Sequence, residues 1–263
     1  MSTSSKLFNI DHFVVLMLEN RSFDQMLGFL YTENGNVSPL GHAYAGLTGK
    51  EFNFDSQGNP VHVFKIKASD PYAYFMPGAD PGEGYFNTNS QLFSNHIAPN
   101  PPVPANNDGF VKNFEYSLGW EKTSKWSILP GTTGNSIMGM FTPKMLPVLS
   151  TLAKNYAVCD HWYCSAPTET LPNRAFLAMA TSQGRLTDKD KVYTAPTIFK
   201  QLSKSNKTWS IYGYDKAPLS RGSYTDITHA ANSHFGLFTD FKQAVDDNTL
   251  ANYVFLEPQW GKG

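Results

Sequence analysis

The chain has 263 residues, with 21 Lys plus Arg against 22 Asp plus Glu and a formal net charge of -1, so no global field draws it to nucleic acid or an anionic membrane. Aromatics make up 14% beside 20 glycines and 17 prolines, the composition of a loop-rich globular protein rather than a disordered one. No apolar run approaches the ~20 residues needed to span a bilayer, and Met1 to Lys6 lead straight into the first strand with no leader-like segment. That start implies a cytoplasmic chain by default, or a secreted one if a leader preceded it. Two cysteines, Cys159 and Cys164, are too few for a disulfide scaffold or a zinc site and read as buried free thiols.

Phe13 to Leu18 form an unbroken apolar run that stops at Glu19 and Asn20. Such a run predicts a parallel-sheet strand buried on both faces. Ser22 and Gln25 have capping-box spacing, and Phe23, Met26, Leu27 and Leu30 recur at one helix face. Glu19 and Asn20 therefore fall in a strand-to-helix turn, at the carboxyl edge where open α/β sheets bind ligands. Two hard oxygens there suit half of a metal site, or simply flank a helix.

Residues 31–135 change character: Asn34-Gly35-Asn36, Gly58-Asn59-Pro60, Asp80-Pro81-Gly82 and Pro99 to Pro104 are breaker signals without periodicity. This stretch reads as a loop-rich insertion, a cap over the mouth of the sheet, within one domain of residues 1–263. Its Tyr72, Tyr74, Phe75, Tyr85, Phe86, Trp120 and Trp126 either line a pocket or form the insertion's own core.

Beyond it, Thr142-Pro143 predicts a helix start, with Met145, Val148, Leu149 and Leu152 as its apolar face and Asn155 as its end. Ala157 to Cys164 reads as a strand, Pro172 to Ser182 and Pro196 to Ser203 as helices, and Thr208 to Tyr214 as a strand. Ser220 to Thr228 looks like a surface loop. A last helix begins near Thr239 and a last strand covers Asn252 to Leu256. Strands alternating with helices predict an α/β fold, a mostly parallel sheet covered on both faces.

Thr170 sits just ahead of the predicted helix at Pro172, where free N–H groups and a partial positive charge suit a phosphate or an alkoxide. Arg174, one turn in, offers a bidentate phosphate contact. A threonine hydroxyl needs activation to act as a nucleophile, and a metal ion supplies it without a histidine. A capping threonine and a solvent-facing arginine are the plainer reading. His12, His161, His229 and His234 read as structural, with Asp160 or His161 facing the site from its strand.

Glu19-Asn20-Arg21-Ser22-Phe23-Asp24 and Thr170-Leu171-Pro172-Asn173-Arg174 together resemble the signatures of the bacterial phospholipase C, plant non-specific phospholipase C and acid phosphatase family. Phe141 to Leu149, Ala157 to Tyr163, Pro196 to Phe199 and Tyr253 to Pro258 carry the likeness further. The resemblance implies an alkaline-phosphatase-like α/β fold and a metal-dependent hydrolase of phospholipids or phosphomonoesters. It implies Glu19, Asn20 and Thr170 as metal ligands, Thr170 also as the nucleophile of a phospho-threonine intermediate, and Asn173 and Arg174 on the phosphate. Oxygen ligands favour Ca²⁺, Mg²⁺ or Mn²⁺, with Zn or Fe still open. The family's Asp-Pro-Gly-His is Asp80-Pro81-Gly82-Glu83 here. Relatives also continue into an Asp-Glu-His-Gly-Gly motif carrying further acidic ligands. The 263 residues are therefore expected to be one piece of a longer protein, partnered by its remainder and weak in metal binding alone. The alternative is a degenerate relative that binds phosphate-bearing ligands without turnover.

Overall fold

A computed structural model describes residues 9–124 and 127–259. Trp126, proposed above as a pocket aromatic, lies outside the described residues, as do Met1 to Phe8 and Trp260 to Gly263. The elements up to the middle of the chain are β1 (Phe13–Leu16), α1 (Phe23–Leu27), β2 (Phe52–Phe54), β3 (Pro60–His62), β4 (Phe64–Lys65), α2 (Gly84–Phe93) and α3 (Phe110–Ser124). Then come β5 (Gly139–Met140), α4 (Pro147–Asn155), α5 (Thr170–Met179), α6 (Ile198–Lys204) and β6 (Trp209–Gly213). Last are α7 (Ser220–Ser223), β7 (Phe235–Leu237), α8 (Phe238–Asp246) and β8 (Tyr253–Leu256). They fall into two compact units, residues 1–20 with 169–263, and residues 21–168.

The first unit is an α/β layer. Its four-stranded sheet runs β1-β8-β6-β7, and every pairing is parallel. Period-two alternation sends Trp209, Ile211 and Phe255 to one face, where they pack with Leu171, Ala175 and Ala178 of α5 and Phe199 of α6. Tyr212, Val254 and Leu256 face the other way, against Phe238 and Phe241 of α8. Helices thus cover both faces, as the alternating pattern predicts. Strand β1 departs from its expectation. It is the sheet edge, bonded only to β8 among the described residues, and Phe13 and Leu16 are 53% and 56% exposed. An apolar run alone does not distinguish an edge strand from a central one. Ser220 to Thr228 is no surface loop: α7 starts it, and Ser220, Tyr224 and Ile227 are buried.

The second unit is built of small pieces. The antiparallel pair β2–β3 turns at Gly58, and β4 pairs with β5 in parallel. Val111, Phe114 and Leu118 line one stripe of α3 and are all buried. Val111 joins Phe29, Val61, Val63 and Met140 in one cluster. Tyr72, Tyr74, Phe75, Phe86 and Trp120 are exposed and Tyr85 is half-buried, so these aromatics do not form this unit's core; Phe29, Phe114 and Phe141 do, with aliphatic and methionine side chains. Ser22 caps α1, its hydroxyl accepting from Gln25 N at 3.1 Å. Met26 and Leu27 of that helix pack into two separate clusters.

Helix α4 begins at Pro147, not Pro143. Proline is tolerated at the first turn but not inside a helix, so the second proline sets the start. Its expected apolar face is largely exposed at Val148 and Leu152, and Ser150 and Ala153 are the buried positions. Ala157 to Cys164 makes no strand; it is irregular, and both cysteines are exposed, not buried. No ladder partner holds that segment among the described residues. Its apolar residues promise a strand only where a neighbour accepts their backbone groups.

Candidate functional site

Glu19, Asn20, Thr170, Asn173 and Arg174, proposed from sequence, all lie in the first unit, whereas Asp160 and His161, one of which was expected to face the site, lie in the second. Parallel strands present their carboxyl ends along one edge, and Glu19 follows β1 there while Glu257 follows β8. Asn20 closes the turn with φ 80°, a left-handed conformation in which Asn is among the more tolerant residues. Thr170 is the first residue of α5; there is no strand immediately before it, so the hydroxyl belongs to a helix start rather than a strand end.

Arg174 ties these parts together. It is 3% exposed; its Nε donates to Glu19 Oε2 at 3.2 Å and its terminal nitrogen to the Met17 carbonyl at 3.3 Å. Thr170 and Arg174 are four apart, so both project from the same face of α5. The arginine expected on a phosphate thus spends two donors anchoring the β1 exit. Asn173 Nδ2 donates to the Glu169 carbonyl at 3.1 Å, within its own helix start.

Two carboxylates that the sequence reading passed over complete the surroundings. Asp188 Oδ1 accepts the Leu171 N–H at 2.8 Å, capping α5, and Asp188 N donates to the Glu169 carboxylate. Glu257, 3% exposed, accepts Leu219 N at 2.7 Å and Ser220 N at 2.9 Å, capping α7. Burial pushes the Glu19 carboxyl up from its ordinary range; the Arg174 charge and hydrogen bond pull it back, and the charges of Asp188 and Glu257 push it up again. Burial also raises Asp188, offset by the Leu171 amide. Acid outweighs base here, and the residue types at Glu19, Asn20 and Thr170 fit a hard cation in chemistry. Among the described residues, however, no three acid, histidine or cysteine side chains converge as a metal cluster.

His12 and His234 are held as structural groups. His12 Nδ1 lies 3.0 Å from the Ala251 carbonyl, and His234 stacks on Trp209 with ring centres 3.9 Å apart. His161 contacts Asp160 at 3.0 Å in the second unit. Arg21, next to the site in sequence, donates to the Tyr74 carbonyl at 3.0 Å and to that of Met76, and covers the Phe141 ring. It is an anchor of the second unit.

Comparison with known proteins agrees with the motifs. The chain is 30% identical to non-specific phospholipase C3 of Arabidopsis thaliana, over 95% of this chain and 45% of that protein. Non-specific phospholipase C1 of the same plant is 33% identical over 94% of this chain and 42% of its own length. Phospholipase C A of Mycobacterium tuberculosis is 26% identical over 94% and 45%. The chain spans about half the length of the curated relatives it matches. The Phosphoesterase family model matches residues 10–262, and the chain belongs to that family.

Proposed function

We propose that this protein hydrolyses phosphate esters, phospholipids or phosphomonoesters, with Thr170 as the nucleophile. The observation that carries the reading is the shared face of α5: Thr170 opens the helix, and Arg174 one turn on is fixed to Glu19 at the carboxyl edge of the sheet. The Thr170 oxygen attacks phosphorus, the bond from phosphorus to the leaving alcohol oxygen breaks, and the alcohol departs with a proton. A phospho-threonine intermediate results. Water then attacks the same phosphorus, the bond to Thr170 breaks, and the hydroxyl regains its proton. The helix start supplies a partial positive charge where the phosphoryl oxygens gather. Glu19, Asn20 and Thr170 would hold a divalent cation, whose part is to lower the hydroxyl pKa and neutralise phosphate charge. Arg174 acts as a positioning residue, holding the Glu19 carboxylate against α5.

The experiment is a panel of phosphomonoesters and phospholipids with the wild type and Thr170→Ala, with mass spectrometry of quenched reactions. Turnover and a phosphorylated Thr170 peptide are expected in the wild type only. Equal turnover in Thr170→Ala overturns the assignment, and ligand binding without turnover in the wild type favours a non-catalytic phosphate binder.

A further inference from the structure

The second unit contains a cavity that the hydrolytic reading does not use. It holds about 330 Å³ and is lined by Asp80, Glu83, Asn87, Tyr116, Trp120 and Glu121 among others. Its walls are the Asp80-to-Glu83 turn, the first turn of α2 and one side of α3, where Tyr116 with Trp120 and Ser117 with Glu121 follow helical four-residue spacing. The turn is held firmly. Gln91 donates to the Gly82 carbonyl at 2.7 Å and to Asn113 at 2.9 Å, and Asn113 donates to Asn87 at 3.0 Å. A Cβ on Gly82 would meet Asn87 Cγ at 2.7 Å, so the turn packs closely against the Asn87 and Asn113 side chains.

Glu121 is the unusual group. It is 3% exposed, and its Oε1 accepts the Asp80 N–H at 3.1 Å, while its Oε2 is buried with no hydrogen-bond partner among the described residues. Burial pushes this carboxyl up from its ordinary range, and the Asp80 charge adds to the push. A buried carboxylate oxygen left unmatched is costly and calls for a positive partner. Asp80 and Glu83 stand exposed at the rim, so the same sign of charge continues outward.

We propose that this cavity binds a small organic ammonium ion, its charge on Glu121 with Asp80 and Glu83 and its alkyl groups against Tyr116 and Trp120. Aromatic faces beside carboxylates are the chemistry that recognises alkylated ammonium. A metal ion fits less well: among the described residues no three acidic side chains converge as a metal cluster, and the volume suits a ligand of several heavy atoms. The Gly82-Glu83 sequence, where the resembled family has histidine, adds negative charge to this rim.

The test is calorimetry of the full chain with tetramethylammonium and with choline, beside the uncharged choline isostere 3,3-dimethylbutan-1-ol. Saturable binding of both cations and none of the neutral compound is expected. Glu121→Gln keeps the shape and should weaken binding at least tenfold; Trp120→Leu should weaken it about fivefold. Both variants are checked by thermal unfolding, and the second serves if the first does not fold. Flotation with phosphatidylcholine against phosphatidylglycerol vesicles separates the sources. Retention on the former alone, lost in Glu121→Gln, identifies a lipid headgroup, and binding of the soluble cations only identifies a free ammonium ligand. Absence of cation binding in the wild type, equal affinity in Glu121→Gln, or equal binding of the neutral isostere would overturn the proposal.

Discussion

Arg174→Met is the sharpest perturbation of the site. The guanidinium is 3% exposed, and its loss removes the 3.2 Å bond to Glu19 and the 3.3 Å bond to the Met17 carbonyl. Breaking a buried ion pair from one side costs about 3–5 kcal/mol because the other charge stays behind. The Glu19 side chain is 19% exposed and keeps some solvent, so the cost is set just below that range, about 2–3 kcal/mol at neutral pH. The pH dependence follows from the sign. The Glu19 carboxyl is already raised in the folded protein, and without Arg174 only the raising influences of burial, Asp188 and Glu257 remain. An acid with a raised folded pKa is destabilising when ionised, and protonation relieves that cost as pH falls through the folded pKa. The deficit of Arg174→Met should therefore be largest near pH 7.5 and shrink toward pH 5. Urea unfolding in chelator at both values measures it, with Arg174→Met/Glu19→Gln as the partner variant. The double variant should be more stable than Arg174→Met alone. A single-variant cost below about 0.5 kcal/mol, or strictly additive effects in the cycle, would refute the pairing argument.

Thr170→Ala should abolish turnover and shift stability by no more than about 1 kcal/mol, measured by substrate hydrolysis and thermal unfolding together. Asp188→Ala removes the acceptor of the Leu171 amide and should cost about 1 kcal/mol in urea unfolding, as for other lost helix caps; no measurable loss would show that solvent caps α5 equally well. Glu19→Gln should weaken calorimetric binding of Ca²⁺, Mg²⁺ or Mn²⁺ at least tenfold, about 1.4 kcal/mol, and unchanged affinity would remove Glu19 from the metal site.

Much of the first unit was legible because its strands carry their own evidence. Trp209 to Gly213 (apart from Ser210) and Tyr253 to Leu256 carry large apolar residues on both faces, and the structure packs them between α5, α6 and α8. The same signal misled at Phe13 to Leu16 and at Ala157 to Cys164, since an apolar run does not reveal whether a neighbouring strand exists. Local rules failed where two signals competed: Pro143 and Pro147 both look like helix starts, and interior sterics select the later one. Of the candidate site, Glu19, Asn20, Thr170 and Arg174 stood out by their places at strand and helix ends, and only the family resemblance joined them into one site. Asp188 was not, since it lies in an irregular Thr187-Asp188-Lys189-Asp190 stretch and reaches α5 only through tertiary folding. Glu257 did carry a signal that went unused, as the first acid after a buried strand.

That last parallel sharpens the case for Glu19. Strands β1 and β8 are neighbours in one parallel register, Leu16 opposite Leu256, and each is followed at the same edge by a glutamate. Sequence treats the two alike; their partners do not. Glu257 is closed off, each carboxylate oxygen holding a backbone amide at the start of α7, so a substrate group or cation could engage it only by uncapping that helix. Glu19 has its hydrogen bond from Arg174 on one oxygen, keeps contact with solvent, and is matched by a side chain rather than by backbone that must stay paired. A side chain can re-aim at small cost, whereas an exposed helix start forfeits its amides' partner. Of two chemically identical groups on one sheet edge, Glu257 is thus tied into the scaffold, while Glu19, joined through Arg174 to the face that carries Thr170, is the one whose partner can move aside, as the proposed mechanism requires.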